Sequence, residues 1–314
     1  MRRLFWFLII MLLVILLSGC NRGQSGLTPG QWGYEFKDYQ GYIVKLPGQP
    51  QRIVSLSIGT DEILVDLVPI ERIAALSAIS EDTNISCITE QAKLVANKVR
   101  ANPEQIIALQ PDLVLIPDWH SGELIQILRD AGVNVYVYHT PTNIEEVKQS
   151  ITELARVLGA EARGTTVITK MDRELAAVTE RVHSIPHNER KTVIRFTLMG
   201  GTDGKGSLFE DMCKLAGVNN GASLACLNSH DILSKEQIVQ INPDVFIMPT
   251  WDYSGKTDMK KYYDDIRNDP GLQAVKAIQN DRLVAADGKY QDSSSQYIVY
   301  GIRDIANAAY PQDK

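Results

Sequence analysis

The chain has 314 residues, of which 44% are hydrophobic and 22% are charged. This composition is typical of a globular protein that is long enough to form two domains. The formal net charge of -6 and the pI near 5.5 do not favour nucleic acid as a partner. The sequence also has no polybasic run of the kind that binds anionic lipid.

The first 20 residues have the features of an export signal. Arg2 and Arg3 form a basic start, and the uncharged apolar run that follows ends at Leu17. That run is short for a membrane span but has the length of a secretory signal. The next residues, LSGC, resemble the bacterial lipobox, in which the signal is cut before a cysteine whose thiol carries lipid. We therefore predict a signal peptide over residues 1–20 with Cys20 as the lipidation site. The alternative is a signal-anchor helix with an incidental cysteine.

The segment after this cysteine is polar and rich in Gly, Ser and Pro, so residues 21–32 are predicted to form a flexible linker. Each buried CH₂ of an acyl chain contributes about 0.8 kcal/mol, so that more than one chain holds a domain durably at a membrane. The sequence thus predicts an exported protein that is tethered by lipid.

Three cysteines follow the linker, namely Cys87, Cys213 and Cys226. An odd number in an oxidising compartment leaves at least one of them free. Cys213 and Cys226 could pair, and three free thiols are the alternative.

Strand and helix patterns alternate through residues 33–143, the predicted N-terminal lobe. Alternating residues around a Gly turn predict a short hairpin at its start, and a buried strand at 52–56 follows. The pattern also predicts strands at 73–76, 113–117 and 133–138. It predicts helices at about 60–67, 103–110 and 121–131, and a further helix at about 144–158 directly after this lobe. Such alternation is typical of βα units in a mostly parallel sheet.

A long helix is predicted after the first lobe. Residues 161–184 keep apolar side chains at helical spacing without a proline, and Pro186 ends the pattern. A helix of about 20 residues spans about 30 Å, which suits a rigid connection between two lobes. We therefore assign residues 144–185 to a connecting helical region and residues 186–314 to a C-terminal lobe.

The C-terminal lobe repeats the alternation. Its first strand is predicted within KTVIRFTLMGG, and Ser207 with Glu210 predicts a capping box at the start of the next helix. A helix near 257–267, a strand at 282–286 and a final helix from about 294 to 310 follow. The predicted fold class is α/β, with two doubly wound Rossmann-like lobes, a single long interdomain helix and a ligand cleft between the lobes.

One helix-and-strand unit occurs twice, as NPEQIIALQPDLVLIPDWH at 102–120 and as SKEQIVQINPDVFIMPTWD at 234–252. Glu104 and Glu236 fall in the first turns of the two helices, where the helix dipole favours a negative charge. We expect both glutamates to face outward, at the end of the unit opposite to the strand ends or on its shoulder. Stabilisation of the helices alone is the alternative role.

Ligands of open α/β sheets bind beyond the carboxyl ends of the strands. The candidate ligand contacts near predicted strand ends are Trp119, His120, His139, Met199, Trp251, Tyr253 and Tyr290. Aromatic faces offer a large contact area at low entropic cost, which suits a bulky planar or chelated ligand. Packing or surface exposure is the alternative for each. Arg195 lies in an apolar strand, and either an anionic chelate or a structural carboxylate would balance its charge.

Few features favour an enzyme, and no catalytic residue is assigned. The sequence has five histidines and lacks the HExxH, G-x-S-x-G and phosphate-loop patterns. The segment GGTDGKGS could hold an anion at a helix N-terminus, but we interpret it as a flexible rim of the cleft. A metal-dependent hydrolase on a similar scaffold is the alternative class, and convergent histidines and carboxylates in one cleft would favour it.

Four stretches resemble a single family: PQRIVSLSIGTDEILVDL, NPEQIIALQPDLVLI, LRDAGVNVYVY and DPGLQAVKAIQNDRLVAAD. The chain, from Gly33 to Tyr310, resembles the substrate-binding lipoproteins of the iron-siderophore, haem and cobalamin class of ABC importers, which have two lobes joined by one long helix. Ile58 departs from the family pattern, which usually has proline at this position. The resemblance implies that Glu104 and Glu236, one in each lobe, dock with arginines of the permease.

The resemblance also implies a function. It implies an exported, lipid-anchored protein that captures a bulky iron chelate or a corrinoid between its lobes and delivers it to a permease dimer with its ATPase subunits. We expect a monomer that faces the periplasm or the cell exterior, with no intrinsic cofactor, no metal site and no nucleic-acid partner. A haem receptor is the alternative within the same class, with His139 or Tyr290 as an axial ligand.

Overall fold

The computed structural model describes residues 33–198 and 203–311. The predicted signal peptide, the predicted linker and Cys20 lie outside the described residues, and so does the candidate ligand contact Met199. Within the described ranges, no helix combines the length and the apolar character that crossing a bilayer requires.

The predicted hairpin is confirmed, and it is tied to the first lobe. Strands β1 (Tyr34–Lys37) and β2 (Ile43–Leu46) pair antiparallel. Gly41 in the turn has a φ of 84°, a left-handed conformation that favours glycine. The Asp38 carboxylate accepts a hydrogen bond from Arg129 Nη2 at 2.7 Å, which fixes the hairpin to a helix of the lobe.

The first lobe is built on a five-stranded parallel sheet. Its strands in spatial order are β5 (Lys98–Val99), β4 (Ile73–Ser77), β3 (Ile53–Ser55), β6 (Leu113–Pro117) and β7 (Val135–Tyr138). Its helices are α1 (Ile58–Leu67), α2 (Thr89–Leu94), α3 (Pro103–Ala108), α4 (Gly122–Asp130) and α5 (Ile144–Leu158), with a 3₁₀ turn at Ile70–Arg72. All residues of β3, β6 and β7 are buried, as expected of strands covered on both faces. The strand order is that of a doubly wound Rossmann sheet and reverses between β3 and β6.

A single long helix, α6 (Glu161–Val182), joins the lobes, as predicted. Its 22 residues span about 33 Å at 1.5 Å per residue. Gly164 allows α5 to pack closely, because a Cβ at this position would lie 2.6 Å from the Ala155 Cβ. The buried face of α6 includes Val167, Met171, Leu175, Val178 and Val182.

The second lobe has a four-stranded parallel sheet. Its strands in spatial order are β11 (Leu283–Ala285), β10 (Val245–Met248), β8 (Thr192–Arg195) and β9 (Asn219–Asn220). Its helices are α7 (Leu208–Leu215), α8 (Gly221–Leu224), α9 (Lys235–Ile241), α10 (Met259–Arg267), α11 (Lys276–Gln279), α12 (Gly288–Gln291) and α13 (Ile298–Ala309), with 3₁₀ turns at His187–Glu189 and Pro270–Leu272. The strand order reverses between β8 and β10, as in flavodoxin-type sheets.

The predicted capping box of α7 forms only in part. Ser207 Oγ accepts the Glu210 N–H at 3.2 Å, but the Glu210 carboxylate bonds Ser223 and not the backbone of Ser207. The complete capping box lies at the start of α9, where Ser234 and Gln237 exchange hydrogen bonds of 3.2 and 2.9 Å. The box is incomplete because the Ser223 hydroxyl, on the neighbouring helix α8, binds the Glu210 carboxylate instead.

The cysteines are not paired. Cys87, Cys213 and Cys226 are all free, which is the second of the two alternatives, and Cys213 is the buried one of the three. Cys87 lies where the lobes meet, and its Sγ is 3.8 Å from the Lys289 carbonyl oxygen of the second lobe.

A buried carboxylate links the two lobes. Glu62 in α1 is 1% exposed and accepts hydrogen bonds from the Cys87 N–H at 2.9 Å and from the hydroxyls of Ser293 and Ser295. Gln296 Nε2 donates to the Glu62 carbonyl oxygen at 2.7 Å. The first helix of one lobe is therefore bonded to a loop of the other.

That loop packs tightly against α1. A Cβ at Gly59 would lie 2.3 Å from Ser294 Oγ, so glycine permits the close approach. The loop also explains why α13 begins at Ile298 and not near residue 294 as predicted, because the Ser293 and Ser295 side chains bond each other at 2.9 Å and Glu62.

Glu62→Gln is expected to remove a pH dependence of stability. Burial raises the pKa of Glu62 from 4.5 to about 7, although hydrogen bonds from Ser295 and Cys87 oppose the shift. The pKa of this carboxyl group is higher in the folded state than in the unfolded state. Its contribution to the free energy of unfolding is therefore complete below the unfolded-state pKa, and it is lost as the pH rises through the folded-state pKa. From about pH 5 to about pH 8, the variant should therefore gain stability relative to the wild type, by up to about 3 kcal/mol.

Urea unfolding at several pH values measures this difference. Burial also raises the pKa of Asp61, to about 8, but Asp61 titrates in both proteins and largely cancels. Parallel stability profiles for the wild type and the Glu62→Gln variant would contradict the prediction.

Candidate functional site

The carboxyl ends of the two sheets face each other across a cleft. In doubly wound sheets a crevice opens beyond these ends where the strand order reverses, here between β3 and β6 and between β8 and β10. Two hydrogen bonds join the loops across the cleft. Trp251 Nε1, after β10, donates to Asp82 Oδ2 at 2.9 Å, and Arg100 Nη1, after β5, donates to the Tyr253 hydroxyl at 3.0 Å.

A pocket of about 270 Å³ lies at the reversal point of the second sheet. All of its lining residues belong to the second lobe and come from three segments, 195–198, 247–254 and 286–292. Half of the described lining residues are apolar or aromatic, namely Phe196, Leu198, Ile247, Met248, Pro249, Trp251, Tyr253 and Ala286. The site is thus a concave apolar surface with a few polar groups, as is usual for small-molecule sites.

Arg195 lies at the carboxyl end of β8, and its charge is already balanced. Its Nε donates to Asp203 Oδ2 at 2.7 Å, and its Nη1 donates to Asp292 Oδ1 at 3.1 Å and to the Gln291 carbonyl oxygen at 2.8 Å. Burial disfavours the charged guanidinium, but the two carboxylates outweigh burial and raise the pKa of Arg195. Of the two alternatives from the sequence, the structure contains the structural carboxylates.

Trp251 and Tyr253 form the rim of the pocket. Their rings meet edge to face with centroids 5.9 Å apart, and Tyr253 is 66% exposed. Each side chain also makes one of the two hydrogen bonds to the first lobe. Among the predicted ligand contacts, the structure brings Trp251, Tyr253 and Arg195 together in the pocket lining.

Trp119 and His120 follow β6, at the reversal point of the first sheet. Their rings stack with centroids 4.1 Å apart, and His120 Nε2 lies 3.4 Å from the Leu56 carbonyl oxygen. Burial lowers the pKa of His120, which favours the neutral ring. Trp119 is 62% exposed, and both residues lie outside the pocket lining, so their contact with a ligand stays a prediction.

His139 and Tyr290 are not among the residues that line the pocket. His139 Nδ1 lies 2.8 Å from Asp118 Oδ2, and the ring stacks on Tyr39 at 4.6 Å between centroids. Tyr290 meets Tyr300 edge to face at 5.4 Å. Both predicted contacts are engaged in packing within their own lobes.

Glu104 and Glu236 are exposed in the first turns of α3 and α9, where the sequence predicts them. Hydrogen bonds from its own backbone N–H and from Ser234 lower the pKa of Glu236. The expectation that the glutamates lie opposite to the strand ends is wrong. Each helix ends beside the amino end of the next strand, so its first turn points to the carboxyl edge, where the cleft opens.

The sequence did not predict four charged residues of the cleft, which are Asp82, Arg100, Asp203 and Asp292. Isolated charged residues in loops follow no periodic pattern. One signal could have found Asp203: Arg195 in an apolar strand requires a carboxylate, and Asp203 is the first one that follows it in the chain. Across residues 33–198 and 203–311, no group of three or more His, Cys, Asp or Glu side chains could hold a metal ion.

Known proteins share this architecture. A profile of the Periplasmic binding protein family matches residues 53–290. An ABC transporter substrate-binding lipoprotein of Bacillus subtilis is 23% identical, and the match covers 96% of this chain and 95% of that protein. A cobalamin-binding protein of Halobacterium salinarum is 24% identical over 67% of this chain and 57% of that protein.

A solved structure provides the comparison of folds. The haem-binding protein RhuT from Roseiflexus superposes with a TM-score of 0.71 at 24% identity, covering 83% of this chain and 98% of that one. This likeness concerns the two-lobe fold. The family profile, in turn, extends from the first strand of one sheet past the last strand of the other. The chain therefore belongs to the Periplasmic binding protein family, and its relatives include a substrate-binding lipoprotein of ABC transporters.

Proposed function

We propose that this protein captures a bulky chelate, either a ferric siderophore or a corrinoid, and delivers it to an ABC permease. One observation carries the proposal: an apolar pocket with an aromatic rim opens at the reversal point of one sheet and faces the other sheet. Ligands of doubly wound sheets bind at this position. The name of the cobalamin-binding relative supports a chelate as the ligand class.

Capture depends on aromatic contact and on closure of the lobes. Phe196, Trp251 and Tyr253 present rings to the pocket, and such rings bind large planar or chelated ligands. A pocket of about 270 Å³ accommodates only part of a siderophore or corrinoid. The rest of the ligand would lie against Trp119 and His120 of the first lobe. The two hydrogen bonds made by Trp251 and Tyr253 would break when the cleft opens.

Binding and release, without chemical change of the ligand, is the proposed role. The relatives carry the names of binding proteins, and the described residues that line the pocket include no histidine or cysteine. The haem alternative has less support, since His139 and Tyr290 pack outside the pocket. The hydrolase alternative has less support because no histidine accompanies the carboxylates Asp252 and Asp292 among the described residues that line the pocket.

Delivery is proposed to occur at the outer face of the membrane. Cys20 would carry the lipid anchor, which the lipoprotein name of the Bacillus subtilis relative supports. Glu104 and Glu236 would meet arginines of the two permease subunits, and the ATPase subunits would then drive transport. The protein would act as a monomer, since each lobe provides one of the two docking charges.

Trp251→Ala is expected to weaken binding of the chelate by about 1 to 3 kcal/mol, because truncation removes an aromatic anchor. Trp251→Phe keeps an aromatic face but loses the hydrogen bond to Asp82, so it should bind more tightly than the Ala variant. Trp119→Ala tests the proposed contact of the ligand with the first lobe in the same way. Isothermal titration calorimetry with ferrichrome and with cobinamide measures the effects. Unchanged affinity in both Ala variants, with unaltered circular dichroism, would rule out the tryptophan anchors.

The double variant Glu104→Ala with Glu236→Ala should lose at least about tenfold in uptake while its chelate affinity is unchanged. The reason is that charge pairs desolvated at an interface are costly to break on one side. Uptake into proteoliposomes that contain the cognate permease provides the measurement. The control is the pair Glu123→Ala with Glu161→Ala, because both residues are exposed first-turn glutamates of other helices. Normal uptake by the first pair would refute the docking role.

Cys20→Ala is expected to release the protein from the membrane fraction or to stall its processing. The anchor depends on the thiol of this residue, and no other lipid attachment is proposed. Fractionation of cells that express each form, followed by mass measurement of the chain, tests the prediction. A processed Ala variant that stays with the membranes would place the anchor elsewhere.

A further inference from the structure

Among the described residues that line the pocket there is one cation, and carboxyl groups of its own lobe hold it. Arg195 is the only basic residue among the described residues that line the pocket, and Asp252 and Asp292 are its acidic residues. Three hydrogen bonds of Arg195 go to Asp203, Asp292 and the Gln291 carbonyl oxygen. Its side chain is 14% exposed, and the two carboxyl groups beside it oppose the approach of a ligand anion.

The balance of charge around this arginine is negative. Arg195 carries one positive charge and pairs with the carboxyl groups of Asp203 and Asp292. Burial raises the pKa of Asp292, and the charge of Arg195 opposes this shift. Asp252 adds a negative charge, since it accepts the Ser254 N–H at 2.8 Å and two further backbone N–H groups. Such hydrogen bonds favour the ionised carboxylate.

The first lobe adds one charge of each sign at the rim of the pocket. At the rim, the first lobe contributes Arg100, which bonds Tyr253, and Asp82, which bonds Trp251, so their charges cancel. Arg100 is exposed, and solvent and salt screen its field. Residues 199–202 are Met-Gly-Gly-Thr, which have no charged side chain.

We infer that the pocket selects chelates that carry no net negative charge. The inference rests on the proposed function and specifies its ligand as a neutral or cationic ferric trihydroxamate or a corrinoid with uncharged amide arms. Like charges in a partly desolvated pocket repel, and no unpaired cation in the pocket lining offsets that repulsion. A ferric triscatecholate and haem are both anionic, so both are disfavoured.

Equilibrium titrations followed by tryptophan fluorescence test this selectivity in the purified chain. The probes are ferrichrome, which is neutral, ferric desferrioxamine B, which is cationic, dicyanocobinamide, which has no net charge, and ferric enterobactin, which is a trianion. At least one of the first three should bind about tenfold or more tightly than ferric enterobactin. A preference for a trihydroxamate or for dicyanocobinamide also distinguishes the two sources of an uncharged chelate.

The variant Asp292→Asn removes one carboxylate from Arg195 and is expected to raise the affinity for ferric enterobactin at least about tenfold. The readout is the ratio of the affinity for ferric enterobactin to that for an uncharged probe, which should rise about tenfold, because Asp292 lines the pocket and its loss of shape acts on both probes. The matched control is Asp281→Asn, which changes the net charge equally. Asp281 pairs with Arg267 at 3.1 Å on the exposed surface, so its variant should bind every probe as the wild type does.

The possible outcomes separate the two levels of the proposal. Tighter binding of ferric enterobactin than of the other probes by the wild type would overturn the inference and leave the proposed function standing. Binding of none of the four probes would overturn the proposed function and the inference together. If the wild type prefers an uncharged probe and Asp292→Asn gains no affinity for the trianion relative to that probe although it folds, the assigned role of the Arg195 pairs is wrong.

Discussion

The buried carboxylate of Glu62 places the two sheets so that their carboxyl ends meet. It lies in the helix that follows the first strand of one lobe, and it is bonded to serines of the loop that precedes the last helix of the other. Together with the long helix α6, this contact fixes one side of the cleft, where the lobes join. On the opposite side, the hydrogen bonds of Trp251 with Asp82 and of Tyr253 with Arg100 link the described residues of the two lobes.

The position of the pocket follows from sheet topology, and its selectivity follows from local charge. Reversal of strand order at β8 and β10 separates the loops there and leaves a crevice. Rings and aliphatic side chains fill its walls, so bulk and shape determine which ligand fits. Asp203 and Asp292 neutralise Arg195, so this arginine stabilises the wall of the pocket and does not attract a ligand. The same arginine, if unpaired, would instead recruit anions.

Much of the architecture could be predicted from the sequence, because buried parallel strands are continuous apolar runs and the long helix has a clear period. The repeated unit correctly gave one helix and strand in each lobe. Short elements such as Lys98–Val99 and Asn219–Asn220 could not be found, since two residues have no periodicity. The partners of Arg195 and the contact of Trp251 with Asp82 depend on residues far apart in the chain, which a local pattern does not encode. The side of the lobes on which Glu104 and Glu236 lie follows from the antiparallel run of each helix against its strand, which the repeat alone does not reveal.

The central claim is that the pocket beside Trp251 holds a chelate. Native mass spectrometry and visible absorbance of the protein purified from its own membranes test it most directly. The account predicts a retained ligand with the mass and colour of one ferric trihydroxamate or one corrinoid for each chain, and loss of that ligand in Trp251→Ala. A haem spectrum, or a retained ligand whose amount is unaffected by the Trp251→Ala substitution, would contradict the account.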